Sequence, residues 1–201
     1  MASSTMTLLP PILFLLFLLS QTHSFPLPHG RKRSTTTPSK LVRSSCSHAR
    51  YPNICLRTLS SLSPPPNSLP ALAQAAVSLT LSRARKTTTF VSSILPAAHG
   101  KRNRAALRDC AEQLSDSIDD LRRTLSELRH LRSATFRWQM SNAQTWVSAA
   151  LTNEDTCLDG FQGVPGGAKA ALKRKIRNIA RVTSNALYLI NRVADTRRTA
   201  P

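Results

Sequence analysis

Residues 145–161 of the chain read TWVSAALTNEDTCLDGF. Apolar residues recur at helical spacing, a cysteine lies on the apolar side, and Gly160 marks a stop, so this stretch predicts a helix bridged to another segment. Cys110 is the partner that we favour for Cys157. The midpoint between them is Ser133-Ala134, with apolar-periodic segments on both sides. This symmetry predicts an antiparallel helical hairpin with arms roughly 35 Å long, closed by the bridge at its open end.

Four apolar stripes predict four long amphipathic helices, because each stripe advances by alternating steps of three and four. The stripes are Ala73, Val77, Leu81, Ala84, Thr88, Val91, Leu95; Leu107, Cys110, Leu114, Ile118, Leu121, Leu125, Leu128; Phe136, Met140, Ala143, Val147, Ala150, Glu154, Cys157; and Leu172, Ile176, Ile179, Thr183, Ala186, Ile190, Val193. No segment alternates convincingly as a strand. The sequence therefore predicts an all-α fold, an up-down-up-down four-helix bundle.

Three features interrupt this pattern. Glu154 is a charged misfit in the third stripe. A basic cluster suits the N-terminus of a helix poorly and is expected to precede the first turn of the second helix; it consists of Lys101, Arg102, Arg104 and Arg108. The longest break lies between the third and fourth stripes, and it contains Gly160, Gly163, Pro165, Gly166 and Gly167.

The N-terminal part divides into three segments. Residues 1–24 carry no charged side chain and contain an apolar run too short to span a membrane, so they are expected to be a secretory signal peptide. Residues 25–43 are rich in Pro, Ser, Thr and basic residues, and we expect a disordered basic arm. Residues 44–197 form the predicted domain. It begins with two short helices folded back on each other, because Pro52 breaks a continuous helix.

Three motifs resemble the plant invertase and pectin methylesterase inhibitor family. Residues 146–152 (WVSAALT) followed by 156–161 (TCLDGF) are similar to its signature, and residues 109–119 (DCAEQLSDSID) and the Cys46-x8-Cys55 motif around Tyr51-Pro52 agree in order. The resemblance covers about residues 41–195 and implies a small N-terminal helical hairpin before the bundle. Four cysteines allow three pairings, and an oxidising compartment favours disulfides. Two observations favour the pairing of Cys46 with Cys55 and of Cys110 with Cys157. One is the symmetry of the predicted hairpin around residues 133–134, and the other is the arrangement of cysteines in the family.

Catalysis has little support in the sequence. His29, His48, His99 and His130 are not at metal-ligand spacing, and no Gly-x-Ser-x-Gly motif occurs. Residues 166–169 (GGAK) lack the Ser or Thr of a phosphate loop. We therefore expect no enzyme activity, no metal and no cofactor.

Two outer helix faces are candidates for binding a protein. The first carries Glu112, Asp116, Asp119 and Arg123, on the side opposite the core stripe, and the second carries Ser141, Thr145, Ser148, Thr152 and Asp155. Short hydroxyl side chains lose little entropy when a partner covers them. An ordinary solvent-exposed surface explains both faces equally well. Trp146 adjoins the second face and is expected to pack between helices.

The family resemblance implies a partner for these faces. Pectin methylesterase inhibitors form one-to-one complexes in which bundle helices cover the active-site cleft. The matching positions here are Glu112, Asp116, Asp119 and Thr145, and Ser148 is added from the hydroxyl row. Leu114 and Ser117 stand where the family often has Tyr and Ala. The alternative partner is invertase, but the Pro-Lys-Phe tripeptide typical of invertase inhibitors is absent.

Charge suggests a second kind of partner. The formal net charge is +18, and none of it lies in the signal segment. Secretion argues against nucleic acid, and we expect no membrane partner after signal removal. In the plant apoplast and cell wall the available polyanion is acidic pectin, so a basic wall-polysaccharide-binding protein is the alternative of another class. The free protein is expected to be a monomer. A third possibility is a free-standing relative of the inhibitor-like pro-regions found in pectin methylesterase precursors.

Overall fold

The computed structural model describes residues 39–162 and 167–196, and in that part every regular element is a helix. Helices α1 (Lys40–Cys46) and α2 (Pro52–Leu59) are short. Helices α3 (Leu69–Ile94), α4 (Lys101–Arg129), α5 (Phe136–Asp159) and α6 (Gly167–Asp195) are long, and a 3-10 turn (Ser133–Thr135) precedes α5. The all-α prediction is confirmed.

The four long helices form a closed ring. Helix α3 packs against α4 and α6, and α5 packs against the same two neighbours. The stripe residues are buried, as Leu114, Val147 and Ile176 illustrate, except Thr88 and Leu95 of the first stripe, which are half-buried. The α4–α5 pair and the α3–α6 pair therefore form opposite faces of the predicted up-down-up-down bundle, and this opposition determines where partners have access.

The two disulfides have the predicted pairing, Cys46 with Cys55 and Cys110 with Cys157. The first joins α1 to α2, and the second joins α4 to α5 at the open end of their hairpin. Such cross-links stabilise a fold chiefly by restricting the unfolded chain. The second bridge thus fixes together the two helices that carry the candidate binding residues.

One asparagine of α6 bonds both backbone groups of Tyr51 in the N-terminal hairpin. The Asn185 amide donates to the Tyr51 carbonyl oxygen at 3.0 Å, and the Tyr51 N–H donates back to the Asn185 Oδ1 at 3.0 Å. Helix α1 begins at Lys40, inside the segment expected to be a disordered arm, because Ser39 accepts a capping hydrogen bond from the Val42 N–H at 3.2 Å. Val42 is buried, so these residues belong to the folded unit.

The prediction for the basic cluster was wrong. Helix α4 begins at Lys101 and includes all four cationic residues. Gly100, with a φ of 81°, allows the chain to turn directly into the helix. Lys and Arg have high helix propensity, and unfavourable contact with the helix dipole costs an exposed side chain only about 0.3–1 kcal/mol.

Several predictions lie outside the described residues. These are the signal segment, the basic triplet at residues 31–33, and Gly163, Pro165 and Gly166 of the long break. Within the described residues, none of the helices combines the length and the apolar character needed to cross a membrane.

Candidate protein-binding face

The outer side of α4 carries the predicted acidic strip. Glu112, Asp116 and Asp119 are exposed, because they lie on the side of the helix away from the buried Leu114 and Leu121. Asp119 accepts a hydrogen bond from Arg122 one turn later, in an exposed ion pair. With Arg123 on the same side, the strip and Arg122 together carry a formal net charge of −1.

The outer side of α5 carries the predicted hydroxyl row. Thr145, Ser148 and Thr152 are exposed. Each donates its hydroxyl proton to the carbonyl oxygen four residues earlier, at 2.9, 2.7 and 3.1 Å respectively. The remaining capacity of these oxygens is to accept. We call the outer sides of α4 and α5, with Glu112, Asp116, Asp119, Thr145, Ser148 and Thr152, the acceptor face.

Trp138 is the residue that sequence reasoning missed. It is 71% exposed, the one large hydrophobic side chain so exposed in the described residues. It stands three residues before Ser141, so the alternating three-and-four spacing of the hydroxyl row leads to it at the start of α5. That extension of the row was the available signal. Trp146, by contrast, is half-buried, in line with its expected packing between helices.

Hydrogen bonds hold the two sides of the acceptor face together. Asn153 on α5 donates to Oδ2 of Asp120 at 3.3 Å, and Asn142 donates to Oε1 of Glu127 at 3.0 Å. Burial raises the pKa of the Asp120 carboxyl, Arg123 opposes the shift, and neighbouring aspartates add to it. These links along the seam keep α4 and α5 in register, so the face is preorganised.

Glu154 lies beneath the face, fully buried. Ser117 of α4 donates to its Oε1 at 2.9 Å, and Thr183 Oγ1 of α6 lies 2.7 Å from its Oε2. Burial raises the pKa of Glu154 to about 8, against the hydrogen bonds from Thr183 and Ser117, and the charge of Asp155 adds to the shift. The apparent misfit in the sequence joins three helices.

The hydrogen-bond geometry around Glu154 suits a protonated carboxyl. Thr183 Oγ1 lies 3.1 Å from the Ile179 carbonyl oxygen as well as near both carboxyl oxygens. A hydroxyl has one proton. If Glu154 donates its own proton to Thr183 Oγ1, Thr183 donates to Ile179, and every polar side-chain atom of this cluster is satisfied. The Ser117 hydroxyl supplies the remaining donor.

The described residues contain no group of three His, Cys, Asp or Glu side chains that could hold a metal ion. His48, His99 and His130 are exposed, while His29 lies outside the described part. The fold and the surface together define a disulfide-linked helical bundle that presents a rigid, polar, largely acceptor surface to another macromolecule.

Comparison with known proteins identifies the family to which this helical bundle belongs. The profile described as "Plant invertase/pectin methylesterase inhibitor" matches residues 40–189. The chain is 48% identical to "Pectinesterase inhibitor 3" of Arabidopsis thaliana over 84% of this chain and 85% of that protein, and 39% identical to "Pectinesterase inhibitor 9" of the same plant over 82% and 88%. The chain belongs to the plant invertase/pectin methylesterase inhibitor family.

A solved structure agrees with the fold. The crystal structure of a mutant form of a pectin methylesterase inhibitor from Arabidopsis superposes with a TM-score of 0.64 and 25% sequence identity, covering 76% of this chain and 97% of the other. These relatives are named as inhibitors, in agreement with the expectation that the chain is not an enzyme.

Proposed function

We propose that this chain is a secreted inhibitor of pectin methylesterase, which forms a one-to-one complex and covers the active-site cleft of the enzyme. The observation that carries the proposal is the acceptor face, with exposed Trp138 at its end. The names of the relatives support the choice of enzyme. The binding residues in the proposal are Glu112, Asp116, Asp119, Thr145, Ser148 and Trp138.

The chemistry of the acceptor face is complementary to a cleft that binds pectin. Pectin methylesterase converts methyl esters on a polygalacturonate chain to carboxylates, so its cleft must provide hydrogen-bond donors for hydroxyl and carboxylate oxygens. The hydroxyls of Thr145 and Ser148 donate to carbonyl oxygens of α5 itself, which leaves their outward lone pairs to accept. Asp116 adds a carboxylate beside them. The face thus offers a cleft the same kind of groups as its polysaccharide.

The size of the face fits one partner. With 24 residues, α5 is roughly 36 Å long at 1.5 Å per residue. Two adjacent helices, each about 10 Å wide, then present roughly 700 Å², close to the 800 Å² that one partner contributes to a standard interface. Trp138 supplies the aromatic anchor that such interfaces commonly use. This size supports one bundle per enzyme, acting in the plant cell wall where pectin is de-esterified.

The test is a titration of one fixed concentration of pectin methylesterase with the purified chain, with invertase titrated in parallel. We expect esterase activity to fall to a plateau at one mole of inhibitor per mole of enzyme, and invertase to keep its activity. Inhibition should weaken as pectin concentration rises, because both ligands occupy the cleft. Inhibition of invertase alone would overturn the choice of enzyme.

Variants locate the interface. Trp138→Ala removes the anchor, Thr145→Arg places a long cation in the face, and Asp116→Lys reverses a charge. Each should weaken inhibition by about 2 kcal/mol, roughly 30-fold, where the residue lies in the desolvated centre, and by much less at the rim. All three side chains are exposed, so the free energy of unfolding should change by no more than about 0.5 kcal/mol.

Two charge reversals on α6 serve as controls. Lys173→Glu and Arg177→Glu change charge as strongly as Asp116→Lys, but they lie on α6, outside the acceptor face, with Arg177 at the seam between α6 and Asp155 of α5. They should inhibit as the parent does. If the three interface variants also inhibit like the parent, or lose activity only because they unfold, the acceptor face is not the binding site.

A further inference from the structure

A basic groove runs between α3 and α6, on the side of the bundle opposite the acceptor face. Among the described residues, four cationic side chains and no carboxylate line it; the cationic residues are Arg83 and Lys86 from α3, and Arg174 and Lys175 from α6. Its volume is about 420 Å³. We define the basic groove by these four residues.

Arg83 lies at the base of this groove without an acidic partner. It is half-buried and donates to Asn178 Oδ1 at 2.9 Å and to Thr58 Oγ1 at 3.2 Å, both neutral acceptors. Burial, and then the nearby charge of Arg57, lower the pKa of Arg83. A guanidinium has five donors, and a partly desolvated one gains from an anion. The two hydrogen bonds thus fix the orientation of the Arg83 guanidinium, while its positive charge is not neutralised by these acceptors. An arginine in this state is suited to binding an anion.

The charge around the groove is segregated by helix. Helices α1, α2 and α3 contain no Asp or Glu, and α6 has seven Lys or Arg residues with one acid, Asp195, at its last position. Charges needed only for solubility are usually mixed in sign, whereas like charges gathered on one side repel each other. Helix α4 also carries seven Lys or Arg residues, but together with six acids, so the formal net charge is +9 on α3 and α6 and −1 on α4 and α5. This excess of positive charge on α3 and α6 is what a polyanion site requires.

The groove continues around α3 toward α4. A second depression of about 350 Å³ is lined by Ser78, Ser82, Arg85, Lys86 and Arg129, among others, and shares Lys86 with the basic groove. The two depressions therefore form a path with cations at intervals. Such a path suits an extended chain of negative charges better than one small anion.

We propose that the basic groove binds a polycarboxylate chain, namely de-esterified pectin. This rests on the proposed function, because the enzyme that the chain is proposed to inhibit produces exactly this polymer of carboxylates. Nucleic acid fits the groove less well. Single strands are usually held by bases stacked on exposed aromatic rings. Phe90, the ring beside the groove, is half-buried and covered by the Lys175 ammonium, 4.9 Å from its centroid.

The position of the basic groove allows the chain to bind pectate and the esterase at the same time. Because α3–α6 and α4–α5 form opposite faces, a pectate chain in the groove leaves the acceptor face open. The inhibitor would then stay attached to the de-esterified polymer at the place where the esterase has acted. Product accumulation would concentrate the inhibitor beside the enzyme, which limits further de-esterification locally.

The test measures binding of the full chain, produced in a eukaryotic secretory host, to polygalacturonate by isothermal titration calorimetry at low salt. Fully methyl-esterified pectin, which is uncharged, and single-stranded DNA serve as comparison ligands. We expect binding to polygalacturonate and none to the esterified polymer. Binding to the esterified polymer would point to a neutral sugar site, and tighter binding of DNA would overturn the choice of occupant.

Matched variants decide whether the groove is the site. Lys86→Gln with Arg174→Gln removes two exposed groove charges, and Arg102→Gln with Arg108→Gln removes two exposed charges from α4. The groove pair should weaken binding at least tenfold, because a single charge-assisted hydrogen bond is worth roughly that factor. The α4 pair should cost about twofold, the effect of reduced net charge alone. Equal losses in the two pairs would overturn the proposal.

The same measurements separate this inference from the proposed function. If the parent binds polygalacturonate through the groove but fails to inhibit the esterase in the titration above, the groove stands and the inhibitor function falls. If the parent inhibits the esterase but does not bind polygalacturonate, the groove inference is wrong and the inhibitor function stands.

Discussion

At the scale of single residues, Glu154 couples the fold to pH. Its carboxyl has an ordinary pKa of 4.5 that burial raises to about 8 in the folded protein. The folded state therefore binds the proton more tightly than the unfolded chain. The resulting stabilisation is fully present below about pH 4.5 and is lost as pH rises toward 8, which is the reverse of the usual behaviour of a paired carboxylate.

Glu154→Gln should remove this dependence, because the amide keeps the shape of the neutral acid and still offers a donor to Thr183. In the parent, the contribution of this carboxyl to the free energy of unfolding should fall by roughly 1.4 kcal/mol for each pH unit between these limits. Denaturant unfolding at several pH values measures the difference in slope between parent and variant.

Glu112→Gln is the matched control, since Glu112 is exposed. Its unfolding should follow the parent at every pH. Equal slopes in the parent and in Glu154→Gln would mean that Glu154 is ionised in the folded protein at neutral pH, contrary to the hydrogen-bond pattern with Thr183 and Ile179.

At the scale of helices, apolar spacing was enough to predict the four long elements. Val77, Leu121, Val147 and Ile190 lie on predicted stripes, and all are buried. The start of α4 was missed because the positive φ of Gly100 is a backbone fact, and because tertiary packing of Leu107 outweighs a weak dipole penalty.

The candidate site was predictable only in part. Spacing placed Asp116 and Thr145 on outer faces, where they lie in the structure. The spacing of residues does not show to which atom a hydroxyl donates its hydrogen bond. The acceptor character of the hydroxyl row on α5 is therefore visible only in the structure. Glu154 looked like a defect in its stripe because its partners, Ser117 and Thr183, are 37 and 29 residues away in sequence.

Asn185 should control attachment of the N-terminal hairpin to α6. Asn185→Ala leaves both the N–H and the carbonyl oxygen of Tyr51 without their partner. Unsatisfied buried polar groups cost about 1–3 kcal/mol each, so the free energy of unfolding should fall by at least about 1 kcal/mol. Thermal unfolding measures the loss, and cleavage near Arg50 by trypsin should become faster than in the parent.

Asn191→Ala provides the control on the same helix. Asn191 is exposed and accepts one hydrogen bond from the Gln144 amide at 2.9 Å. Its removal should change the free energy of unfolding by no more than about 0.5 kcal/mol. If the two variants unfold alike, the hairpin is held by its apolar contacts rather than by the Asn185 bonds.

At the scale of the whole molecule, charge divides the bundle into two sides. Six of the ten acidic residues lie on α4 and three on α5, while the remaining one, Asp195, ends α6. Helices in a bundle pack about 8–10 Å apart, so the outer surfaces of opposite faces are separated by roughly 20 Å. This exceeds the Debye length of about 8 Å at physiological ionic strength. Ligands on the two faces should therefore have little electrostatic effect on each other.

Independence of the two faces predicts a three-component complex. Chain captured on immobilised polygalacturonate, and washed free of soluble polymer, should bind added pectin methylesterase in a ratio of one enzyme per captured chain. The affinity should lie within about twofold of that measured without polymer, since a coupling free energy near zero leaves each equilibrium unchanged. Surface plasmon resonance gives both numbers. A polygalacturonate surface treated with the Lys86→Gln, Arg174→Gln variant is the control, because it captures little of the chain. The signal on that surface measures how much enzyme binds to the polymer directly. Release of the captured chain when the enzyme arrives would show that the two partners compete, and would place them on one face of the bundle.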